Sequence, residues 1–515
     1  MVLVGIRSDR PVPVMQQIDG QGFACAILAA LIAMGLCSCS GYQHQAYRLG
    51  GKSVVRTDDY ELHFVESDDY GWFWEPAQAT RALDAVRDSV LDQDTIILIF
   101  VAGWHHSAQC CDDNIEGFKK VLTRLKGELS RAMYGQARGR IHGTLESRPV
   151  KVLGIYLGWR GRSLPGLADY LTFWGRKAAA TRVGESDFEE FLIRLRYFCA
   201  QHEQQSLSEL AKPRSPQSRK QNLLGLVTIG HSFGGQVVLR ATASLLEHEL
   251  TDTDEEVGAG SAYLRSPSVP GTGTTPSAPV RGFGDLVVLI NPAVEAAAYQ
   301  RLHSLGRSLN YPHDQGPVML TISADDDVPR HKLFRIGRIL GEWFTGKPSL
   351  ADTREREMER QSLGFFAEQV THRIEPADPM MKLVGTITKQ VPEPACAGHD
   401  HCEFTWYTWP GTPRPIADSL SADVYTPAVV KQIGDYDLSS TTVFADVVMR
   451  PLQGAVPRQA LIVASADKRV ITGHNGMFSE PLMNFLTRYI GFVEAKRLLP
   501  VALAAETGAA GGAKQ

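Results

Sequence analysis

The chain has 515 residues, of which 43% are hydrophobic and 21% charged, and a formal net charge of -4. That length and balance support a large buried core, in one big domain with insertions or in two or three smaller ones. A chain so close to neutral, with no basic stripe, carries no electrostatic footprint for nucleic acid, so that class of partner is set aside.

Arg7 and Arg10 precede an uncharged apolar stretch at 22–36, which runs into Cys37-Ser38-Cys39. The stretch falls short of the about 20 apolar residues that a membrane-spanning helix needs, and suits the core of a cleavable signal peptide. Leu36 lies three residues before Cys39 and Ser38 directly before it, the form of a bacterial lipobox. The reading is a lipoprotein-type signal peptide over 1–38, lipid attachment at Cys39 and a tether over 39–59. It places the chain in a bacterial cell envelope, periplasm-facing or at the surface, with the membrane as a partner through the lipid.

Beyond the tether, short apolar runs alternate with helical patterns. The runs are 60–65, 95–101, 150–157, 223–229, 286–290, 318–322 and 461–464. Near-continuous apolar runs of this kind mark parallel strands buried on both faces, and 60–65 reads as an edge strand. Helical periodicity covers 76–90, 114–133, 187–199, 235–247, 294–305 and 480–495. Alternation of this kind predicts an α/β fold with a mostly parallel central sheet and helices on both faces. The core spans 60–345 and 452–500. Within it, 204–221 is a polar surface insertion, and 251–279, rich in Gly, Ser, Thr and Pro, reads as a disordered one. The turn-rich stretch 346–451 is a candidate cap, and 501–515 a disordered tail.

The run 223–229 leads into Gly230-His231-Ser232-Phe233-Gly234, and a helical pattern follows. A sharp strand-to-helix bend needs small residues on either side, here Gly230 and Gly234. It holds a serine hydroxyl above the sheet, with the next amide, that of Phe233, facing a reacting carbonyl oxygen. Serine is a weak nucleophile that requires a base, and the base requires an acid to orient it. The run 318–322 ends in a cluster of Asp325, Asp326 and Asp327, where the acid belongs; Asp326 is favoured, with Asp325 as the alternative. His474, flanked by Gly473 and Gly476, follows the last strand as the base. Such chemistry needs no metal or organic cofactor.

After the first core strand comes Ala102-Gly103-Trp104-His105-His106. Gly103 permits close backbone approach, and the Trp104 amide is the expected second oxyanion donor. The adjacent His105 and His106 lack the spacing of a metal site. Arg160, at the end of the 150–157 run, is a candidate for an anionic substrate group or a salt bridge. Eight cysteines are present; Cys396 and Cys402 flank a five-residue loop that a disulfide could staple, with a metal site as the weaker alternative.

The elbow at Ser232, the Gly103-Trp104-His105-His106 loop, the strand-end aspartates and the His474 loop together resemble bacterial α/β-hydrolases of the esterase/lipase type. The likeness covers about 60–493 apart from the insertions. It implies an α/β-hydrolase fold and a Ser-His-Asp serine hydrolase, foremost a carboxylic-ester hydrolase acting on a small-molecule or lipid ester. The alternative is a catalytically weak or inactive protein of the same fold that binds a ligand or partner. The family's histidine before Gly103 is Ala102 here, which leads to the expectation of a looser oxyanion loop.

Overall fold

The computed structural model describes residues 45–131, 149–160, 172–210, 222–251, 279–312, 315–327, 334–335, 338, 353–378, 386–392, 401–407 and 441–511. In chain order, β1 (Val54–Arg56) and β2 (Tyr60–Ser67) lead into α1 (Pro76–Asp92), β3 (Asp94–Val101) and α2 (Asp113–Arg131). Then come β4 (Val150–Trp159), α3 (Phe173–Gly184), α4 (Asp187–Leu210), β5 (Leu224–His231) and α5 (Phe233–Thr251). Next are β6 (Leu286–Ile290), α6 (Ala296–Ser308), β7 (Met319–Ala324), α7 (Thr353–Arg360) and β8 (His372–Pro376). The remaining elements are β9 (Thr386–Pro392), β10 (His401–Tyr407), β11 (Thr442–Phe444), β12 (Val447–Pro451), β13 (Leu461–Ala466) and α8 (Glu480–Gly511).

Eleven strands form one sheet in the order β1-β2-β4-β3-β5-β6-β7-β13-β8-β12-β11, and β9 pairs with β10 apart from it. From β2 to β8 every pairing is parallel; β1 at one edge and β12 and β11 at the other run antiparallel. Successive residues of β3 point to opposite sides, as the pleat requires. Ile96, Leu98 and Phe100 join the cluster under α2 and α8, while Ile97, Ile99 and Val101 join the one beneath α1 and α3 through α6. Both faces are covered by helices, so β3 and β5 are buried along their whole length. The protein is therefore α/β, with a mostly parallel but mixed central sheet.

The strands fall on the apolar runs, and the differences lie at the margins. The tether assigned to 39–59 is part of the fold from Gln45 onward: Tyr47 and Arg48 donate their amides to the Glu66 carboxylate at 2.8 Å, and β1 closes the edge beyond β2. The candidate cap over 346–451 supplies β8, β11 and β12 to the main sheet. Alternating burial along β8, with Ile374 inward and Arg373 and Glu375 half-exposed, suits a strand near a sheet margin, and it gives no continuous apolar run to recognise. In the polar insertion, 204–210 continues α4, and α8 runs to Gly511 where a disordered tail was expected from 501. The run Ala502-Leu503-Ala504-Ala505 has high helix propensity. The insertion at 251–279 lies outside the described residues except at its two ends, and Cys39 lies outside them altogether.

Because β2 through β8 are parallel, their carboxyl ends share one rim. The loops after β3, β5, β6, β7 and β13 meet there, the position where ligands bind in open α/β sheets.

Candidate active site

Ser232 stands between the last residue of β5 and the first of α5 with φ +56°, a left-handed conformation that a serine adopts only when its surroundings hold it there. Four hydrogen bonds do so. Its amide donates to Ile290 O at 3.0 Å, and its carbonyl accepts from Gly235, Gln236 and Ala293 amides at 3.0, 3.4 and 2.9 Å. The glycines on either side are required by space. A Cβ on Gly230 would lie 2.5 Å from Gly234 O, and one on Gly234 would lie 2.2 Å from Val101 O and 2.6 Å from Ala102 O. The helix start is thus packed directly on the end of β3.

His474 Nε2 lies 2.8 Å from Ser232 Oγ, and its Nδ1 lies 2.8 Å from Asp327 Oδ2. The carboxylate facing the imidazole is therefore that of Asp327, not of Asp326 or Asp325. Backbone geometry explains the choice. The Asp325 amide still pairs with Ala466 O at 2.9 Å, which extends the β7 ladder and turns its side chain to Arg373 and Ser465 on the neighbouring strands. The Asp327 amide then closes a turn onto Ala324 O and folds its fully buried carboxylate under the His474 loop. Asp326 accepts from the Gly473 amide at 2.8 Å and so holds the same loop one residue earlier.

Two further side chains fix that loop and went unassigned in the sequence. Asn291, the first residue after β6, donates from Nδ2 to His474 O at 2.9 Å and to Gly473 O at 3.3 Å. Its Oδ1 accepts from the Ala324 amide at 2.9 Å, so one amide group ties the aspartate turn to the histidine loop. His231 Nε2 lies 3.0 Å from His474 O. A carbonyl only accepts, so Nε2 carries the proton. Burial, reinforced by the nearby His474, holds the His231 imidazole well below its usual pKa, and it is neutral. Their only sequence-level signal was position, each beside a strand's carboxyl end.

Gly103 lies against the elbow: a Cβ there would be 2.9 Å from both Ser232 Cβ and His231 O. Phe233 opens α5, so its amide is among the donors that a helix leaves without an intrahelical partner. The Trp104 ring packs among Phe173, at 5.4 Å between centroids, and Phe233, at 6.1 Å; Phe173 also meets Phe334 at 6.4 Å. An aromatic shelf thus flanks the serine. Ala102 is braced without the histidine, since its carbonyl accepts the Trp159 indole N–H at 2.7 Å. Nearby, His105 stacks on Trp104 and His106 pairs with Asp112 at 3.0 Å. Arg160 is committed to a salt bridge with Asp69, which Arg176 shares. Cys199 is a buried free thiol. Cys396 lies outside the described residues, and with it the pairing expected between Cys396 and Cys402.

No protein-family model, curated protein or solved structure matches this chain.

Proposed function

We propose that the chain is a serine hydrolase of the α/β-hydrolase type that cleaves carboxylic esters through an acyl-enzyme. One observation carries the reading: the continuous hydrogen-bonded line from Ser232 Oγ through His474 to Asp327, set on a left-handed elbow. In this mechanism His474 Nε2 takes the hydroxyl proton as Ser232 Oγ attacks the ester carbonyl carbon. Asp327 accepts from Nδ1–H, fixes the tautomer and stabilises the imidazolium. The Phe233 and Trp104 amides receive the developing oxyanion. The imidazolium then protonates the departing alkoxide, and a water deprotonated by His474 attacks the acyl-enzyme, returning Ser232 and releasing the acid.

Export with lipid attachment at Cys39 completes the proposal. Its support is the apolar stretch and the lipobox. Labelling by a fluorophosphonate probe together with an ester panel tests the activity. The wild type should be labelled and turn over activated esters, and Ser232→Ala should do neither. Full turnover by a folded Ser232→Ala protein would remove the assignment.

A further inference from the structure

On the rim that carries Ser232, the loop after β2 presents Tyr70 and Trp72 to solvent at 65% and 63% exposure, and the first turn of α3 presents Trp174 at 40%. Exposed apolar side chains scattered singly are ordinary, but several aromatics gathered on one rim mark an interaction surface. The loop is built to hold them so. Asp68 Oδ1 accepts from the Tyr70 and Trp72 amides at 2.8 and 2.9 Å, Asp69 O accepts from Arg182 Nε at 2.9 Å, and the Arg182 guanidinium lies over the Tyr70 ring at 5.3 Å. The helix α3 connects the two groups. Its first residue, Phe173, packs on Phe233 beside the serine at 5.1 Å, and Arg182 near its end meets the Tyr70 loop. β2 is three strands from β5 in the sheet, so the two ends of this rim are about 15 Å apart.

The described part of the chain begins beside this rim. Tyr47 and Arg48 are bound to Glu66, beside the same loop, and Tyr47 and Leu49 add exposed apolar surface there. Only five residues lie between Cys39 and Gln45, a stretch that spans at most about 20 Å when fully extended. We infer that the rim bearing Ser232 faces the lipid bilayer, with Tyr70, Trp72 and Trp174 seated in its headgroup region, and that the ester substrate is a water-insoluble one drawn from the lipid phase. Tryptophan and tyrosine favour that region because each has an apolar ring and a polar tip. The orientation rests on lipid attachment at Cys39, and the substrate class rests on the hydrolase reading.

The test uses the full lipidated chain in phosphatidylcholine vesicles, with and without brominated acyl chains that quench tryptophan on contact. The protein should float with the vesicles and be quenched by bromine, and Trp72→Phe and Trp174→Phe should each lower the quenched fraction. Tyr70→Ser with Trp72→Ser should slow hydrolysis of a long-chain ester dissolved in the vesicles about tenfold. The same protein should keep its rate on a soluble short-chain ester. Flotation with equal quenching in wild type and both tryptophan variants would overturn the orientation. Failure to float would overturn the anchoring and the orientation with it. Selective quenching without hydrolysis of any ester would overturn the hydrolase reading and the substrate class, and leave the orientation standing.

Discussion

The Asn291 side chain donates to the His474 carbonyl at 2.9 Å while accepting from the Ala324 amide at 2.9 Å. It thereby bonds both the turn that carries Asp327 and the loop that carries His474. Asn291 itself has φ +46° and is fully buried, so it cannot swing away to a second arrangement without disturbing the end of β6. Replacing it with alanine leaves the triad residues in place and loosens their spacing. Asn291→Ala should lower kcat by up to about 100-fold, as for a misplacement near 1 Å, with KM changing little. A KM rise at constant kcat would place Asn291 in substrate binding instead.

Among the aspartates, the order of damage follows the geometry. Asp327→Asn should cost about 10⁴-fold in kcat, because the amide presents a donor or a weaker acceptor to Nδ1 and favours the wrong tautomer. Asp326→Asn keeps an oxygen for the Gly473 amide and should cost far less. Asp325→Asn loses an ion pair with Arg373, both partners more than a third exposed, and should be nearly silent in kcat. Steady-state kinetics on the three purified variants checks the ranking, and a crippled Asp326→Asn beside an active Asp327→Asn would reverse it.

The same cluster shows what the sequence could and could not yield. Continuous apolar runs located β3, β5 and β6, because burial on both faces leaves no other composition. The positions of Ser232 and His474 followed from the requirement that small residues flank a sharp bend and that a base arrive after the last strand. The choice among three adjacent aspartates depended on where β7 stops pairing, which is set by the Asp325 amide bonding to Ala466 O and is invisible in a run of identical side chains. The marginal strands β8, β11 and β12 escaped for a related reason. They are short and half-buried, and their alternation reads as loop. Asn291 acts through its amide on backbone groups 33 and 183 residues away, a relation that only the fold creates.

Acid should weaken the fold through its buried neutral histidines. Burial, with help from Arg307 and Arg354, pulls His303 down to about 4, and burial pulls His231 well below its usual value. Between about 6.5 and those depressed values the unfolded chain binds protons that the native one refuses. This contribution to stability is complete above about 6.5 and is lost as pH falls toward 4. Urea midpoints measured from pH 7 to pH 4 should fall, and the fall should be shallower in His303→Gln, which lies away from the serine. Parallel curves for the two proteins would show that His303 titrates alike in both states.

The oxyanion loop offers paired substitutions with opposite readings. Were the absence of a histidine at 102 a weakness, Ala102→His would raise the rate. Ala102 is fully buried in the cluster beneath α2 and α8, its carbonyl already holds the Trp159 indole, and its amide donates to Leu157 O at 3.4 Å. An imidazole there must displace packed neighbours, so Ala102→His should lower stability by about 1–3 kcal/mol and leave kcat equal or reduced. Gly103→Ala adds a single methyl, but that methyl meets His231 O and Ser232 Cβ at 2.9 Å, and neither is the free end of a flexible chain. The loop would withdraw from the elbow and carry the Trp104 amide with it. Its cost should therefore appear in kcat, up to about 10²- to 10³-fold, as when an oxyanion donor is removed, more than in the melting temperature. Measuring kcat and Tm on both variants separates the two effects. A faster Ala102→His enzyme, or a Gly103→Ala enzyme with unchanged kcat, would mean that the loop after β3 does not set the rate.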